Sequence, residues 1–237
     1  MANFVFSPNW FYGPDILIEI FSMITLFLIA YFSYRFYRLN TEKKEHLYLG
    51  MAFVTLSVSF LAKIMTYVVI YYYKLLQIDQ VAVVQQVLSN EVIGMRPSYF
   101  MFSAGVAMFS FLQLVGLYML TCIYQKRISR YDTLIILYAF FMITYFSHNT
   151  YFAFHLTSLL LLSIISYIFF RTYRKNRHPN TKRLMSAFLI IAISQAVYMF
   201  KTLNPAFYVW GEVIQLVGYF LLLLTIIMVI KHGKKKK

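Results

Sequence analysis

The sequence predicts an all-α fold: a polytopic membrane protein of seven transmembrane helices, N-terminus outside and C-terminus inside, built as a 3+1+3 parallel repeat. Three observations lead there. The 237 residues are 61% apolar, 20% aromatic and only 13% charged, a balance that suits lipid rather than water as solvent. The basic residues fall almost entirely on one side of the apolar runs. Short motifs from the first half of the chain also return in the second half, in the same order.

A bilayer core about 30 Å thick takes about 20 mostly apolar residues per helix at about 1.5 Å each. Seven stretches are long enough. The first, near 14–38, follows "MANFVFSPNWFYGP", which carries neither a basic residue nor a signal-peptide pattern, so this helix is expected to stay in the mature protein. The second and third lie near 46–75 and 98–125. Between them the longest loop, 76–97, places Val84, Val87, Leu88 and Val92 on roughly one helical face. That is the pattern of a short interfacial helix capping the bundle, with a plain linker as the alternative. The fourth stretch, near 131–148, reads as a linker helix, and the last three lie near 151–172, 183–202 and 206–231. Runs such as "SLLLLSIISYIFF" are apolar at both parities, which excludes the alternation of an outer-membrane barrel. The chain is thus expected to form a single transmembrane domain, with repeat 1 at about 14–127, the linker at about 131–148 and repeat 2 at about 151–232.

A net charge of +14 could point to nucleic acid, so its distribution decides its meaning. Arg35, Arg38, Lys43, Lys44, Lys126, Arg127, Arg130, Arg171, Arg174, Lys175, Arg177, Lys182, Arg183, Lys231 and Lys234 to Lys237 share one side, against Lys74, Arg96 and Lys201 on the other and Lys63 within a helix. Eighteen against three is a positive-inside signature, which sets the orientation and implies a multi-pass protein of the cell membrane. The partners it implies are the bilayer and, at the inner basic loops, anionic lipid headgroups; nucleic acid is not expected. The densest run, "RTYRKNRHPNTKR" at 171–183, could also dock a cytoplasmic partner. The single cysteine, Cys122, permits neither an internal disulfide nor a cysteine metal cluster.

The repeat is carried by three matches in register. Arg35-Phe-Tyr37-Arg38-Leu-Asn40 ends the first helix as Arg171-Thr-Tyr173-Arg174-Lys-Asn176 ends the fifth. Leu49-x-x-Ala52-Phe53 opens the second helix as Leu184-x-x-Ala187-Phe188 opens the sixth, with Ser59 and Ser194 following at the same offset. Gln113-Leu-Val-Gly116 on the third helix returns as Gln215-Leu-Val-Gly218 on the seventh. Basic and aromatic residues at inner helix ends arise from topology alone, so the weight lies on the three matches together.

This topology resembles the heptahelical class that includes the SWEET and PQ-loop sugar transporters, the KDEL-receptor fold and, more distantly, the microbial rhodopsins. The resemblance covers most of the chain and rests on topology and repeat pattern. It departs from those families in its motifs: there is no Pro-Gln motif, Pro8, Pro14, Pro97, Pro179 and Pro205 lie in loops or at helix starts, and the seventh helix has no lysine for a retinal Schiff base.

Polar side chains at membrane depth are costly and mark candidate sites. Counting about 20 residues outward from each inner basic end places Glu19, Lys63, His155 and Gln215 at similar levels, about 7 Å below the outer boundary. Gln113 and Gln195 lie deeper, and Glu212 and Lys201 nearer the rim. The inner half offers mainly Thr25, Thr55, Thr121, Ser166 and Tyr167. Lys63 is expected to pair with Glu19 or Glu212, because an isolated buried ammonium is costly. Gln113 and Gln215 are expected either to hydrogen-bond between helices beside the small Gly116 and Gly218 or to flank a pseudo-two-fold axis where a ligand binds. Candidate ligand-binding residues are therefore Glu19, Lys63, Gln113, His155, Gln195, Glu212 and Gln215.

His148 and His155 lack a carboxylate at ligand spacing, and no catalytic triad, carboxylate pair, phosphate loop or Cys/His cluster is evident. No enzyme, cofactor or metal is expected. Three functions compete: a receptor- or sensor-like bundle that binds a small ligand in an outward-facing polar pocket; a small-solute transporter that rocks one repeat against the other; and an opsin-like pigment using Lys63.

Overall fold

The computed structural model describes the backbone of residues 7–39, 41–42, 44–88, 97–125, 130–146 and 151–234. It describes side chains over the same ranges except at 9, 70, 72–88, 97–103, 130–132, 146, 151 and 230–234. Seven helices account for nearly all of it: α1 (Pro14–Leu39), α2 (Lys44–Leu88), α3 (Pro97–Gln125), α4 (Arg130–Phe146), α5 (Tyr151–Asn176), α6 (Pro179–Tyr198) and α7 (Ala206–Lys234). Five of them, α1, α2, α3, α5 and α7, contain segments long and apolar enough to cross a bilayer. The chain accordingly has the make-up of a multi-pass helical membrane protein.

Local chemistry explains the helix ends. Gly13 takes φ +99°, which a residue with a Cβ rarely adopts, and Pro14 starts α1 just beyond it. Asp15 accepts hydrogen bonds from the backbone N–H groups of Gly13 (3.0 Å) and Ile16 (2.8 Å), and its carboxylate suits the positive end of the helix dipole. The α5–α6 turn is two residues, Arg177 in the left-handed region (φ 47°) and His178, before Pro179 restarts the helix. At the start of α7 the Asn204 side chain accepts from the Ala206 N–H at 2.8 Å.

Two expectations change here. The stretch 76–97 is not a loop over its whole length, because α2 continues without interruption through Leu88. At 45 residues α2 is about 67 Å long at about 1.5 Å per residue, well beyond a membrane thickness. A separate interfacial helix there is replaced by an extension of α2; the side chains of Val84, Val87, Leu88 and Val92 lie outside the described residues. The sixth helix also starts earlier and ends sooner than expected, at Pro179 and Tyr198, which places Lys201 in the turn after it. Polar Asn180 to Arg183 form its first turn, so its apolar part is short.

Packing runs around a closed ring: α1 against α2, α2 against α3, α3 against α5, α5 against α6, α6 against α7, and α7 back against α1. Helix α4 lies on α3 and α5, where Phe140 packs with Leu114 and Phe154. At the end of the bundle that carries Arg35, Arg38, Arg171, Arg174 and Lys175, all six ring helices fill the centre with apolar side chains. Leu26, Phe53, Leu56, Leu120, Ile165, Phe188 and Leu222 belong to this plug, and Phe169 stacks on Phe188 with centroids 5.6 Å apart. Outward-facing Phe27, Val58, Met65, Leu160, Ile193 and Phe220 remain exposed, as lipid-facing positions should.

The two Gln-Leu-Val-Gly segments occupy corresponding contacts. A methyl group on Gly116 would lie 2.7 Å from the Leu56 side chain and 3.3 Å from the Ala52 carbonyl oxygen. One on Gly218 would overlap Ile191 and lie 3.3 Å from the Ala187 carbonyl oxygen. The glycines thus let α3 and α7 close onto α2 and α6. One turn further along those partners, the Ser59 hydroxyl donates to the Leu56 carbonyl at 2.7 Å and the Ser194 hydroxyl to the Ile191 carbonyl at 2.7 Å.

Candidate functional site

Toward the end of the bundle opposite the basic residues, the packing opens into a cavity of about 60 Å³. Lys63, Thr66 and Tyr67 line it from α2, Ser110 and Gln113 from α3, His155 from α5, Gln195 and Tyr198 from α6, and Tyr208 and Gln215 from α7, with Lys201 in the turn between the last two. Phe109 and Phe154 supply an apolar wall. The apolar plug forms its floor, with Phe60 and Tyr219 meeting edge to face at 5.5 Å.

The ammonium of Lys63 donates to a carboxylate oxygen of Glu19 on α1 and, at 3.1 Å, to Oε1 of Glu212 on α7. The expected pairing was with one carboxylate or the other; both are engaged, because α1 and α7 are neighbours in the ring. Both carboxylates are 0% exposed and Lys63 is 12% exposed, so the lysine separates them from the cavity. Its charge also lies 5.3 Å from the Phe109 ring centroid and 5.6 Å from that of Tyr67, within cation–π range.

A second cluster faces the first. His155 Nδ1 lies 2.9 Å from Gln195 Oε1 and His155 Nε2 lies 3.2 Å from Lys201 Nζ. A carbonyl oxygen only accepts and an ammonium only donates, so the pattern fits a neutral imidazole that carries its proton on Nδ1. The Tyr198 ring stacks on the imidazole at 5.2 Å, and the Tyr67 and Tyr208 hydroxyls meet at 3.1 Å.

All seven side chains expected to mark a site therefore meet in one layer. Lys63, Gln113, His155, Gln195 and Gln215 line the cavity, while Glu19 and Glu212 hold Lys63 from behind. The expected interhelical bonds of Gln113 and Gln215 are incomplete among the described residues, where Gln113 Oε1 and Gln215 Nε2 are buried without a hydrogen-bond partner. Sequence reasoning missed Tyr67, Tyr198 and Tyr208. The first two were visible as the residues four after Lys63 and three after Gln195, on the same helical faces. It also missed Asp15, whose buried carboxylate accepts from the Tyr71 hydroxyl and ties the start of α1 to α2. His148 lies outside the described residues, and among those described no three His, Cys, Asp or Glu side chains gather as metal ligands.

The fold and cavity define a helical membrane protein with a buried polar chamber. No family model, curated protein or solved structure matches the chain.

Proposed function

We propose that this protein binds a small polar ligand in the cavity as a receptor- or sensor-like seven-helix bundle of the cell membrane, by binding rather than catalysis. The observation that carries this reading is the one-sided polarity: a polar cavity with two buried glutamine atoms lacking partners, above a plug to which all six ring helices contribute. A ligand entering from the end opposite the basic residues finds hydrogen-bonding groups and no polar path beyond them.

Seven spans fit the connectivity, although α4 and α6 are shorter than the rest. Helix α3 ends at the basic end and α5 begins at the cavity end, which supports a crossing by α4, and the place of α6 between α5 and α7 supports another. The α4 helix, at 17 residues, is about 25 Å long, close to a bilayer core. The exposed arginines and lysines gathered at one end support, by the positive-inside rule, an N-terminus outside and a C-terminus inside. The basic segment 171–183, largely exposed, would then meet anionic headgroups or a cytoplasmic partner.

A second reading, a small-solute transporter, is favoured by the packing. Exchanging α1 with α5 and α3 with α7 turns the α1–α7 contact into the α5–α3 contact, as a two-fold relation between parallel repeats requires. The Gly116 and Gly218 contacts obey the same exchange, and the shift that takes Arg35 to Arg171 takes Glu19 to His155. An opsin-like use of Lys63 finds less support, since its ammonium is engaged by two carboxylates.

The test is thermal stabilisation of the purified protein by a panel of sugars, amino acids and organic ions, with uptake of the same panel into proteoliposomes. Stabilisation without uptake supports the receptor reading; stabilisation with uptake moves the assignment to the transporter. A panel that neither stabilises nor enters counts against both.

A further inference from the structure

We propose that the ligand of the cavity is a small uncharged amide, which donates its N–H to Gln113 Oε1 and accepts at its carbonyl oxygen from Gln215 Nε2. This rests on the reading of the cavity as a ligand site and adds the chemical class that the site selects.

The hydrogen-bond inventory of the lining leads to it. Most of the polar groups there are already spent. Lys63 donates to Glu19 and Glu212, the Tyr67 and Tyr208 hydroxyls meet at 3.1 Å, and the Thr66 hydroxyl donates to the Ala62 carbonyl at 2.7 Å. His155 is held between Gln195 at 2.9 Å and Lys201 at 3.2 Å. The Tyr198 hydroxyl is set against Glu212, which does not line the cavity. Among the described residues, Gln113 Oε1, an acceptor, and Gln215 Nε2, a donor, are buried in the lining with no partner. An amide end buried without a partner is costly, so a ligand that completes both glutamines is favoured.

Charge excludes ions. Two ammonium groups, of Lys63 and Lys201, line the cavity, and two carboxylates, of Glu19 and Glu212, stand behind it. Glu212 is coupled electrostatically to Lys201 as well as to Lys63, so the Glu19–Lys63–Glu212 triad and its neighbour Lys201 balance positive against negative, with His155 neutral beside them. An added anion or cation would upset that balance within the buried bundle, and a neutral molecule would not.

Shape and polarity narrow the class further. The cavity is small, about 60 Å³, and Phe109 and Phe154, with ring centroids 5.6 Å apart, give it an apolar wall. One donor and one acceptor on separate atoms answer two glutamines that reach in from α3 and α7, and flat apolar faces answer the wall; an amide has both. A polyol of the same size would bring further hydroxyls to that wall with nothing to bond.

Thermal unfolding of the purified full-length protein with four probes of similar size tests this. The probes are propionamide, propionate, propionamidinium and N,N-dimethylformamide; the second and third are charged, and the last is an isomer of propionamide that has no N–H. The expected result is a saturable rise in Tm with propionamide, no rise with the other three, and loss of the propionamide shift in Gln113→Leu and in Gln215→Leu. Should either variant fail to fold, propionamide against its isomer on the wild type decides, because the two differ in the N–H that Gln113 accepts. An equal rise with N,N-dimethylformamide, a rise with either ion, or a propionamide shift that survives in both variants overturns the proposal. Absence of a propionamide shift overturns it too. If a sugar, amino acid or organic ion then gives a shift that the glutamine variants lose, the cavity remains a ligand site of another class; if no molecule does, the reading of the cavity falls with the proposal.

Discussion

Replacing Lys63 by methionine keeps the apolar length of the side chain and removes only the charge. Glu19 and Glu212, both completely buried, would lose their shared ammonium, leaving the two carboxyl groups without that counter-charge in the helix bundle. Removing one partner from a buried ion pair costs about 3–5 kcal/mol, since the charge left behind has neither water nor a partner. Replacing the whole set by neutral groups is instead neutral or mildly stabilising. Lys63→Met alone is therefore expected to lose about 3–5 kcal/mol, and the triple variant Lys63→Met, Glu19→Gln, Glu212→Gln to regain most of that loss. Reversible unfolding in mixed micelles measures both, and the non-additivity isolates the charge coupling from the change in shape. If Lys63→Met unfolds within about 1 kcal/mol of wild type, or if the triple variant loses as much as the single one, the triad is not held together as described.

Gly116→Ala and Gly218→Ala should destabilise the bundle by similar amounts, about 1–3 kcal/mol each, because each methyl meets a packed side chain of α2 or α6; equal losses in the same unfolding assay check the correspondence of the two sites. Asp15→Ala removes the acceptor of two backbone N–H groups and of the Tyr71 hydroxyl, and should cost about 1–3 kcal/mol, with Tyr71→Phe losing less; a neutral Asp15→Ala would show that this end of α1 is held by other contacts. In Gln195→Leu the buried Nδ1–H of His155 loses its acceptor. Nitrogen-15 NMR should show the Nδ1-protonated imidazole of wild type give way to another state, and an unchanged spectrum would mean that Gln195 does not set the tautomer.

The helices were legible because hydropathy reports membrane thickness directly, and the five most apolar segments coincide with expected spans. Helix ends beyond the membrane were not. "QIDQVAVVQQVL" is too polar to read as a span, yet Gln, Val, Ala and Leu are all compatible with a helix, so α2 runs on after its apolar segment ends. The same reasoning explains α6, whose first turn is polar and whose helix starts before its apolar part. The site was legible through cost: an ionised or amide side chain at membrane depth needs partners, which singled out Glu19, Lys63, Gln113, His155, Gln195, Glu212 and Gln215. Tyrosine carries no such cost signal in a chain with 21 of them; Tyr67 and Tyr198 could be reached only by their spacing from Lys63 and Gln195, and Tyr208 emerged only from three-dimensional packing. That both carboxylates share Lys63 was also hidden, since it depends on α7 closing the ring against α1.

The cavity is proposed as a ligand site gripped by Gln113 and Gln215. The most direct measurement compares ligand-induced thermal stabilisation of wild type with that of the double variant Gln113→Leu, Gln215→Leu, using the same panel of sugars, amino acids and organic ions. Among the described residues both glutamines end in a buried polar atom without a partner, so their replacement by apolar side chains should leave the folded state at least as stable while abolishing the shift that a wild-type ligand produces. A ligand that stabilises both proteins equally would show that it binds elsewhere, and the cavity would then be a packing feature and not a binding site.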